Sequence, residues 1–324
     1  MASRCQRPTN GAVERQEPRL AADRVHGAYL HADDDGVGVS LHGRRATLNA
    51  AWAVHVYHDN EGMYLLLHSA AYGSYLAATS RRAPRGSRGF RVAQRNYDRL
   101  GSQALMWQVV GAVFPGAFIL RHVGGRYLRA NGRYLAWNNA VTVEGVFEDV
   151  STMMHWIVEP IPPRNGIPAI SNRPVREYFP EDLSVVLHLH AVSAFQRIRF
   201  VRASHDGHFS ERGWSEFPFR GRSVYRLRNE LARRLGLLDR FMDLILCARA
   251  GRHGRLTPLV DNLPRHPHNF NTIEIVVFLS RTPAANRLRH PDVEWTERRE
   301  REEREYLQYP ASGSGRPTLH VARR

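Results

Sequence analysis

A motif repeated three times in the first half of the chain constrains the fold more than any other feature. The motif is Gly-x-Tyr-Leu-x-Ala, and its copies begin at Gly27, Gly73 and Gly125. Each copy is followed by a tryptophan in an apolar stretch, at Trp52, Trp107 and Trp156. Two markers that recur in the same order indicate an internal repeat of about 45–55 residues.

Each repeat has the pattern of β-strands and turns. Apolar runs such as Tyr64–Leu67 lead into a glycine turn and Tyr-Leu-x-Ala leads out of it, which is typical of a hairpin. Three all-strand units predict a β-trefoil whose repeats bury their tyrosine, leucine and tryptophan side chains. The predicted repeat core comprises Tyr29, Leu30, Trp52, Tyr75, Leu76, Trp107, Tyr127, Leu128 and Trp156.

Residues from about Arg19 to Pro160 resemble the plant domain-of-unknown-function 569 family. The third repeat resembles it most closely, in Gly125–Asn131 and His155–Glu159. The resemblance implies a fascin-like, actin-cross-linking-like β-trefoil and leaves the activity open. The family begins with a Val-Arg-Leu-Arg-like strand, whereas this chain has Arg19-Leu-Ala-Ala-Asp-Arg24, so we expect an eroded first strand.

The second half of the chain predicts a smaller α+β domain. Residues 197–281 have the order of two strands, a helix and three more strands, which is that of a ubiquitin-like β-grasp. Ser223 is a favourable residue to begin the helix and Gly236 a favourable residue to follow it. Leu246–Arg249 and Gly254–Leu259 also resemble the C-terminal domain found with many members of the same family.

The predicted fold class is therefore mostly β, with an N-terminal trefoil and a C-terminal ubiquitin-like β-grasp domain. Composition shifts and prolines divide the chain further. The predicted segments are a disordered N-terminus (1–18), a fascin-like β-trefoil (19–161), a Pro-rich linker (162–196), a ubiquitin-like domain (197–281) and a charged, largely disordered tail with a short helix (282–324).

The basic residues are all arginine. The 46 Lys+Arg residues include no lysine, and with 31 acidic residues they give a net charge of +15. The absence of lysine excludes P-loop and kinase nucleotide sites and Schiff-base chemistry, all of which need one. Both compositional drift and selection for anion binding are consistent with an arginine-only surface.

Segment 79–99 concentrates this charge within the second repeat. It holds seven arginines and one aspartate, and Pro84, Gly86 and Gly89 predict a loop. A basic loop can bind phosphate or an acidic protein face, and it can equally be a solvated surface. The candidate anion- or partner-binding residues are Arg81, Arg82, Arg85, Arg88, Arg91 and Arg95.

No catalytic, cofactor or metal site is predicted. His188-x-His190 and His266-x-His268 lack a third ligand at suitable spacing, and Asp33–Gly36 lacks the remaining ligands of a calcium loop. Cys247 lies in an apolar run and is expected to be a buried strand residue. We expect a non-enzymatic protein without cofactors.

The predicted function is that of a binding or adaptor protein that acts through protein–protein interaction. The alternatives are side binding to actin filaments, arginine-mediated binding of nucleic acid or anionic lipid, and carbohydrate binding. The Gln-x-Trp signature of trefoil lectins is absent, because Ala50, Leu105 and Met154 precede the tryptophans by two residues. Without an apolar leader or a membrane-length apolar run, the expected location is the cytoplasm, with the nucleus as the alternative to it.

Overall fold

The computed structural model describes residues 17–22, 27–59, 62–98, 102–111, 116–132, 138–145, 150–170, 195–265 and 272–308. These residues form a mostly β protein with a large and a small sheet, which confirms the predicted fold class. The large sheet belongs to the first domain. The small sheet, of five strands, belongs to the second domain.

The first domain contains twelve strands in three similar sets of four. They are β1 (Glu17–Ala22), β2 (Tyr29–Ala32), β3 (Val39–His42), β4 (Trp52–Asp59), β5 (Gly62–Ser69), β6 (Tyr75–Arg82), β7 (Phe90–Arg95), β8 (Trp107–Gly111), β9 (Ala117–His122), β10 (Tyr127–Ala130), β11 (Val141–Glu144) and β12 (His155–Ile161). The second strand of each set begins at the motif tyrosine. A 3-10 turn precedes the fourth strand, at Leu48–Ala50, Ser102–Leu105 and Thr152–Met154.

Six of these strands form a barrel, and the other six form hairpins at one end of it. In the barrel, β5 pairs with β4 and β8, β9 pairs with β8 and β12, and β12 pairs with β1. The hairpins β2–β3, β6–β7 and β10–β11 meet one another, since Leu41 N–H donates to Asn139 O and Gln94 N–H donates to Val37 O. This arrangement is the predicted β-trefoil.

The prediction of an eroded first strand is wrong, as is the prediction that disorder extends to residue 18. Strand β1 pairs with β12 over its whole length, from Glu17 opposite Ile161 to Ala22 opposite Trp156. A strand ladder is made by backbone groups, so a departure from the family's side-chain pattern does not open the barrel.

The three repeat tryptophans occupy equivalent places in the trefoil core. Trp52, Trp107 and Trp156 are all 0% exposed. Each indole Nε1–H donates to the carbonyl oxygen of the motif leucine in its own repeat, at 3.0, 3.1 and 3.1 Å. The polar atom of each large buried ring is thereby satisfied, which lets the ring fill the core without a desolvation penalty.

The second domain is a five-stranded sheet with a helix on one face. Its elements are β13 (Phe195–Arg202), β14 (Ser215–Arg220), α1 (Val224–Arg234), β15 (Leu244–Arg249), β16 (Leu256–Pro258) and β17 (Thr272–Leu279). The strand order is β14-β13-β17-β15-β16, and the neighbouring strands β13 and β17 are parallel. This is the topology of the predicted β-grasp.

Helix α1 begins and ends as its sequence predicts. The Ser223 side chain accepts from Arg226 N–H, and Gly236 follows the helix with a φ of 66°. Gly236 N–H donates to Arg233 O and Leu237 N–H to Ala232 O, which is a Schellman motif. The buried face of the helix packs on the sheet through Val224, Leu227 and Leu231.

Chain beyond residue 281 has more structure than predicted. Helix α2 (Pro283–Asn286) packs against the sheet face opposite α1, and helix α3 (Trp295–Gln308) extends the predicted short helix to 14 residues. Residues 309–324 lie outside the described residues. The start of the predicted linker is also ordered by pairing, since Pro163 forms a β-bridge with Pro291 and Arg164 N–H donates to His290 O.

Candidate functional site

The six candidate arginines lie on one hairpin, which we call the arginine hairpin (residues 75–95, strands β6 and β7 with their turn). The predicted loop over 79–99 is wrong, because β6 continues to Arg82 and β7 begins at Phe90. Proline and glycine mark only the turn at 83–89, and exposed arginine is tolerated on the outward side of a strand. The structure places all six side chains in solvent: Arg81, Arg82, Arg85, Arg88, Arg91 and Arg95.

The turn of the hairpin is held against the third repeat. Asn138 Nδ2 donates to Gly86 O at 3.0 Å, and the Asn138 side chain also bonds Ser87 Oγ. Gly89 has a φ of +81°, and a Cβ there would come within 2.1 Å of Val143 O. Glycine is therefore required at this close approach, which fixes the turn on the surface of strand β11.

A seventh arginine, which the sequence did not indicate, lies against the arginine hairpin. The Arg126 guanidinium carbon lies 4.0 Å from the centre of the Phe90 ring, and that of Arg82 lies 5.7 Å from it. Arg91 Nε also donates to Arg82 O at 3.2 Å. Arg126 follows the glycine of the third repeat, so only the trefoil's folding brings it to the hairpin.

Acidic partners for these arginines are lacking within the described chain. Elsewhere on the trefoil, Arg45 pairs with Glu159 at 3.1 Å and Arg129 with Glu144 at 2.6 Å. None of the six hairpin arginines lies within 4.0 Å of a carboxylate oxygen of the described residues. Apart from Arg91 Nε, which donates to Arg82 O, their exposed guanidinium groups can bind anionic groups from outside.

The one aspartate of the basic segment is used at the contact between the domains. Asp98 Oδ1 accepts from Arg252 N–H at 2.9 Å. Tyr97 N–H donates to Ala250 O at 2.8 Å, and His253 N–H donates to Tyr97 O at 3.1 Å. Tyr97 and Asp98, which follow the arginine hairpin in this segment, therefore contact the ubiquitin-like domain.

The predicted repeat core is only partly symmetric. Leu30, Leu76 and Leu128 are 0% exposed, like the tryptophans. The three tyrosines differ: Tyr75 is 1% exposed, whereas Tyr29 and Tyr127 are half-buried, which corrects the prediction that all three lie in the core. Tyr75 is covered because the ubiquitin-like domain lies over it, with Arg255 N–H donating to its hydroxyl oxygen at 3.0 Å.

Histidine and tyrosine rings fill the rest of this contact. The His68 ring lies 4.7 Å from that of Tyr75 and 4.8 Å from that of His55, measured between centroids. His68 Nε2 lies 3.1 Å from Thr257 Oγ1. Burial, aided by the nearby Arg255 charge, lowers the pKa of His68 to about 3, so its ring is neutral at pH 7.

The structure shows no metal cluster of three or more suitable side chains among the described residues. His188, His190, His266 and His268 lie outside those residues. The Asp33–Gly36 segment is a turn in which Asp35 Oδ1 accepts from the backbone of Val37 and Gly38.

Cys247 is a buried strand residue, and burial raises the pKa of its thiol. The residues at the lectin-signature positions are buried last residues of the three 3-10 turns: Ala50, Leu105 and Met154. Within the described chain, no helix has the length and apolar character needed to cross a membrane.

Comparison with solved structures finds proteins of low identity. The designed threefold protein ThreeFoil is 20% identical, with 44% of this chain and 96% of that chain covered and a TM-score of 0.36. A ricin B-like lectin from Macrolepiota procera, solved with lactose, is 16% identical, with 44% and 94% covered and a TM-score of 0.35. No curated protein matches the chain.

Two family models match, one on each domain. The model described as the beta-trefoil domain of unknown function (DUF569) matches residues 16–159. The model described as the DUF569 associated ubiquitin-like domain matches residues 194–278. The first match runs from the start of strand β1 to the end of strand β12, to within a few residues. The second match runs in the same way from the start of strand β13 to the end of strand β17. Residues 16–159 therefore belong to the DUF569 β-trefoil family, and residues 194–278 belong to the family of its associated ubiquitin-like domain.

Proposed function

We propose that the protein is a non-enzymatic adaptor whose arginine hairpin binds an acidic surface of a partner protein. The observation that carries the proposal is the set of six exposed arginines that have no carboxylate partner in the described chain. The guanidinium group is planar and matches carboxylates in two-pronged hydrogen bonds. A surface of carboxylate side chains is therefore a suitable counterpart.

The shape of the hairpin supports a protein partner. Asn138 bonds its turn, and the Arg82 and Arg126 guanidinium groups lie against the Phe90 ring, so the charges are carried on an ordered surface. Arginine stacked on an aromatic ring is less strongly hydrated than lysine and is favoured at protein interfaces. The ubiquitin-like domain beside the hairpin adds a second surface, as an adaptor requires.

The first probe is filamentous actin, an acidic protein polymer, measured by co-sedimentation at low and at physiological salt. The test variant is R82Q/R85Q/R88Q. The matched control is R202Q/R212Q/R226Q, which removes the same charge from exposed positions of the ubiquitin-like domain. We expect saturable pelleting at physiological salt that is weakened about tenfold or more in the hairpin variant only.

Retention on heparin separates the alternatives. Binding to heparin that falls equally in both triple variants, without saturable pelleting of actin, would show that only general charge attraction is at work. Pelleting that is unchanged in the hairpin variant would exclude the hairpin as the binding surface. Saturable binding to RNA or to phosphatidylserine vesicles that is lost only in the hairpin variant would assign the same surface to nucleic acid or to lipid.

A further inference from the structure

Helix α1 of the ubiquitin-like domain carries a buried arginine that has no acidic partner among the described residues. Arg228 of helix α1 is 4% exposed. Its Nη2 lies 3.2 Å from Met242 Sδ, and its Nε has no hydrogen-bond partner among the described residues. Removing a charged group from water without giving it a counter-charge costs free energy, so such groups are uncommon unless they bind a ligand or a partner.

Two acidic residues, one on helix α1 and one next to Met242, bind other arginines. Glu230 binds both Arg233 and Arg234 at 2.7 Å. Asp243 binds Arg240 at 3.3 Å and accepts from Ser280. Consistent with an unneutralised site, burial lowers the pKa of the Arg228 guanidinium.

The surroundings of Arg228 are aromatic and apolar. Its guanidinium carbon lies 5.3 Å from the centre of the Tyr225 ring and 5.6 Å from that of Phe241. Met242 is 62% exposed, and Leu238, in the same 3-10 segment (Leu238–Asp243), is 53% exposed. Of the large hydrophobic side chains exposed in the described chain, these are the only two that lie in one turn.

We propose that these residues form a docking surface for a partner segment that carries a carboxylate between large apolar side chains. We call this surface the Arg228 patch (Tyr225, Arg228, Leu238, Phe241 and Met242). The carboxylate would bind the Arg228 guanidinium and supply the missing counter-charge. The flanking apolar side chains would cover Leu238 and Met242, which removes two exposed hydrophobic groups from water.

The charge that selects an acidic segment is that of Arg228 itself. Arg233 and Arg240 are also exposed on the elements that bear the patch, but Glu230 and Asp243 bind them. A complementary charge at an interface favours an acidic segment and disfavours a basic one. The patch lies on the ubiquitin-like domain and does not depend on the arginine hairpin, so the proposed function can fail while this inference holds.

The probe is a short fluorescein-labelled peptide in which leucine and phenylalanine alternate with aspartate, and binding to the full chain is measured by fluorescence anisotropy. We expect saturable binding, weakened about tenfold or more in Arg228→Met because a charge-assisted hydrogen bond is lost. L238Q/M242Q, which changes only exposed side chains, is expected to weaken binding as well. A peptide with asparagine in place of aspartate is expected to bind as weakly as Arg228→Met does to the original.

Two variants serve as controls. M63Q/V109T changes exposed hydrophobic residues of the trefoil, 58% and 54% exposed, and should leave binding unchanged. The hairpin variant R82Q/R85Q/R88Q should do the same, which separates this surface from the proposed function. Failure of the wild-type chain to bind the peptide saturably would overturn the inference. Equal binding by wild type and a folded Arg228→Met, checked by circular dichroism, would overturn it too.

Discussion

Two arginines of similar burial on opposite faces of the same sheet have opposite surroundings. Arg249, 6% exposed, faces the side covered by α2, and binds Glu211 at 2.6 Å and Glu274 at 2.9 Å. Its guanidinium carbon lies 4.6 Å from the centre of the Trp214 ring. Arg228, 4% exposed, lies on the helix side and has no carboxylate partner in the described chain.

The two arginines show that buried cations can have different roles. Arg249 joins strand β15 to strand β17 and to the 211–214 segment, so its charge stabilises this domain from within. Among the described residues, Arg228 contacts the Tyr225 and Phe241 rings and the Met242 sulfur and has no carboxylate partner. Burial alone therefore does not show whether a cation stabilises the fold, and the partners must be identified before a role is assigned.

Replacing Arg249 with methionine is expected to have the largest effect. It removes one arginine partner from Glu274, whose side chain is 15% exposed, and from Glu211, whose side chain is 59% exposed. Breaking a buried ion pair lowers the free energy of unfolding by about 3–5 kcal/mol. Because Glu274 keeps Arg199 at 2.7 Å, the lower end of that range is expected. Urea unfolding followed by tryptophan fluorescence measures the loss. A loss below about 1 kcal/mol would mean that solvent already screens these ion pairs.

Acidification is expected to lower stability through His68, which is buried at the domain contact. The folded-state pKa of His68 is lowered from 6.5 to about 3. Between these two pH values, His68 is mostly protonated in the unfolded chain and mostly neutral in the folded chain. Stability is therefore complete above pH 6.5 and falls as the pH drops towards 3, by about 2 kcal/mol at pH 5. Burial also lowers the pKa of His290, to about 4, which acts in the same direction.

Thermal melting between pH 7.5 and pH 5 measures this dependence. In His68→Gln, which keeps a polar group near Thr257 Oγ1 but does not titrate, the fall in melting temperature is expected to be smaller. An unchanged pH dependence in this variant would assign the acid sensitivity to other groups. A buried histidine can become neutral by releasing its proton, whereas the guanidinium group of Arg228 stays charged. Arg228 therefore keeps a buried charge without the carboxylate partners that Arg249 has.

Replacing Arg228 with methionine is expected to have the smallest effect. Removing a buried charge that lacks a counter-charge offsets the loss of the contacts with Tyr225 and Phe241, so the free energy of unfolding should change by less than about 1 kcal/mol. The same urea experiment measures it, with Arg249→Met as the matched substitution. A loss equal to that of Arg249→Met would contradict the distinction between the two arginines.

The sequence predicted those parts of the molecule that each repeat determines alone. Spacing identified Leu30, Leu76 and Leu128 and their tryptophans, because the same core position recurs in every repeat. The helix boundary at Ser223 was also predictable, because the cap is a local interaction. The domain contact was not predictable: residues 250–257 lie over Tyr75, and no feature of the tyrosine's own repeat indicates that cover.

The arginine hairpin shows the same limit. Glycine and proline located the turn correctly, but nothing local distinguished an exposed strand rich in arginine from a loop. Arg126 could not be linked with Phe90 from the sequence, since 36 positions separate them (126 − 90) and no motif connects them. Its place over the Phe90 ring follows from the pairing of β7 with β11.

The bonds between tryptophan and leucine also bear on the order in which the chain folds. They join residues 22, 31 and 28 positions apart, whereas the contacts of Arg255 with Tyr75 and of Thr257 with His68 join residues 180 and 189 positions apart. Closing a short loop costs less entropy than closing a long one, and local contacts form faster. Each third of the trefoil can therefore close around its own indole early, and docking of the second domain is expected to come last.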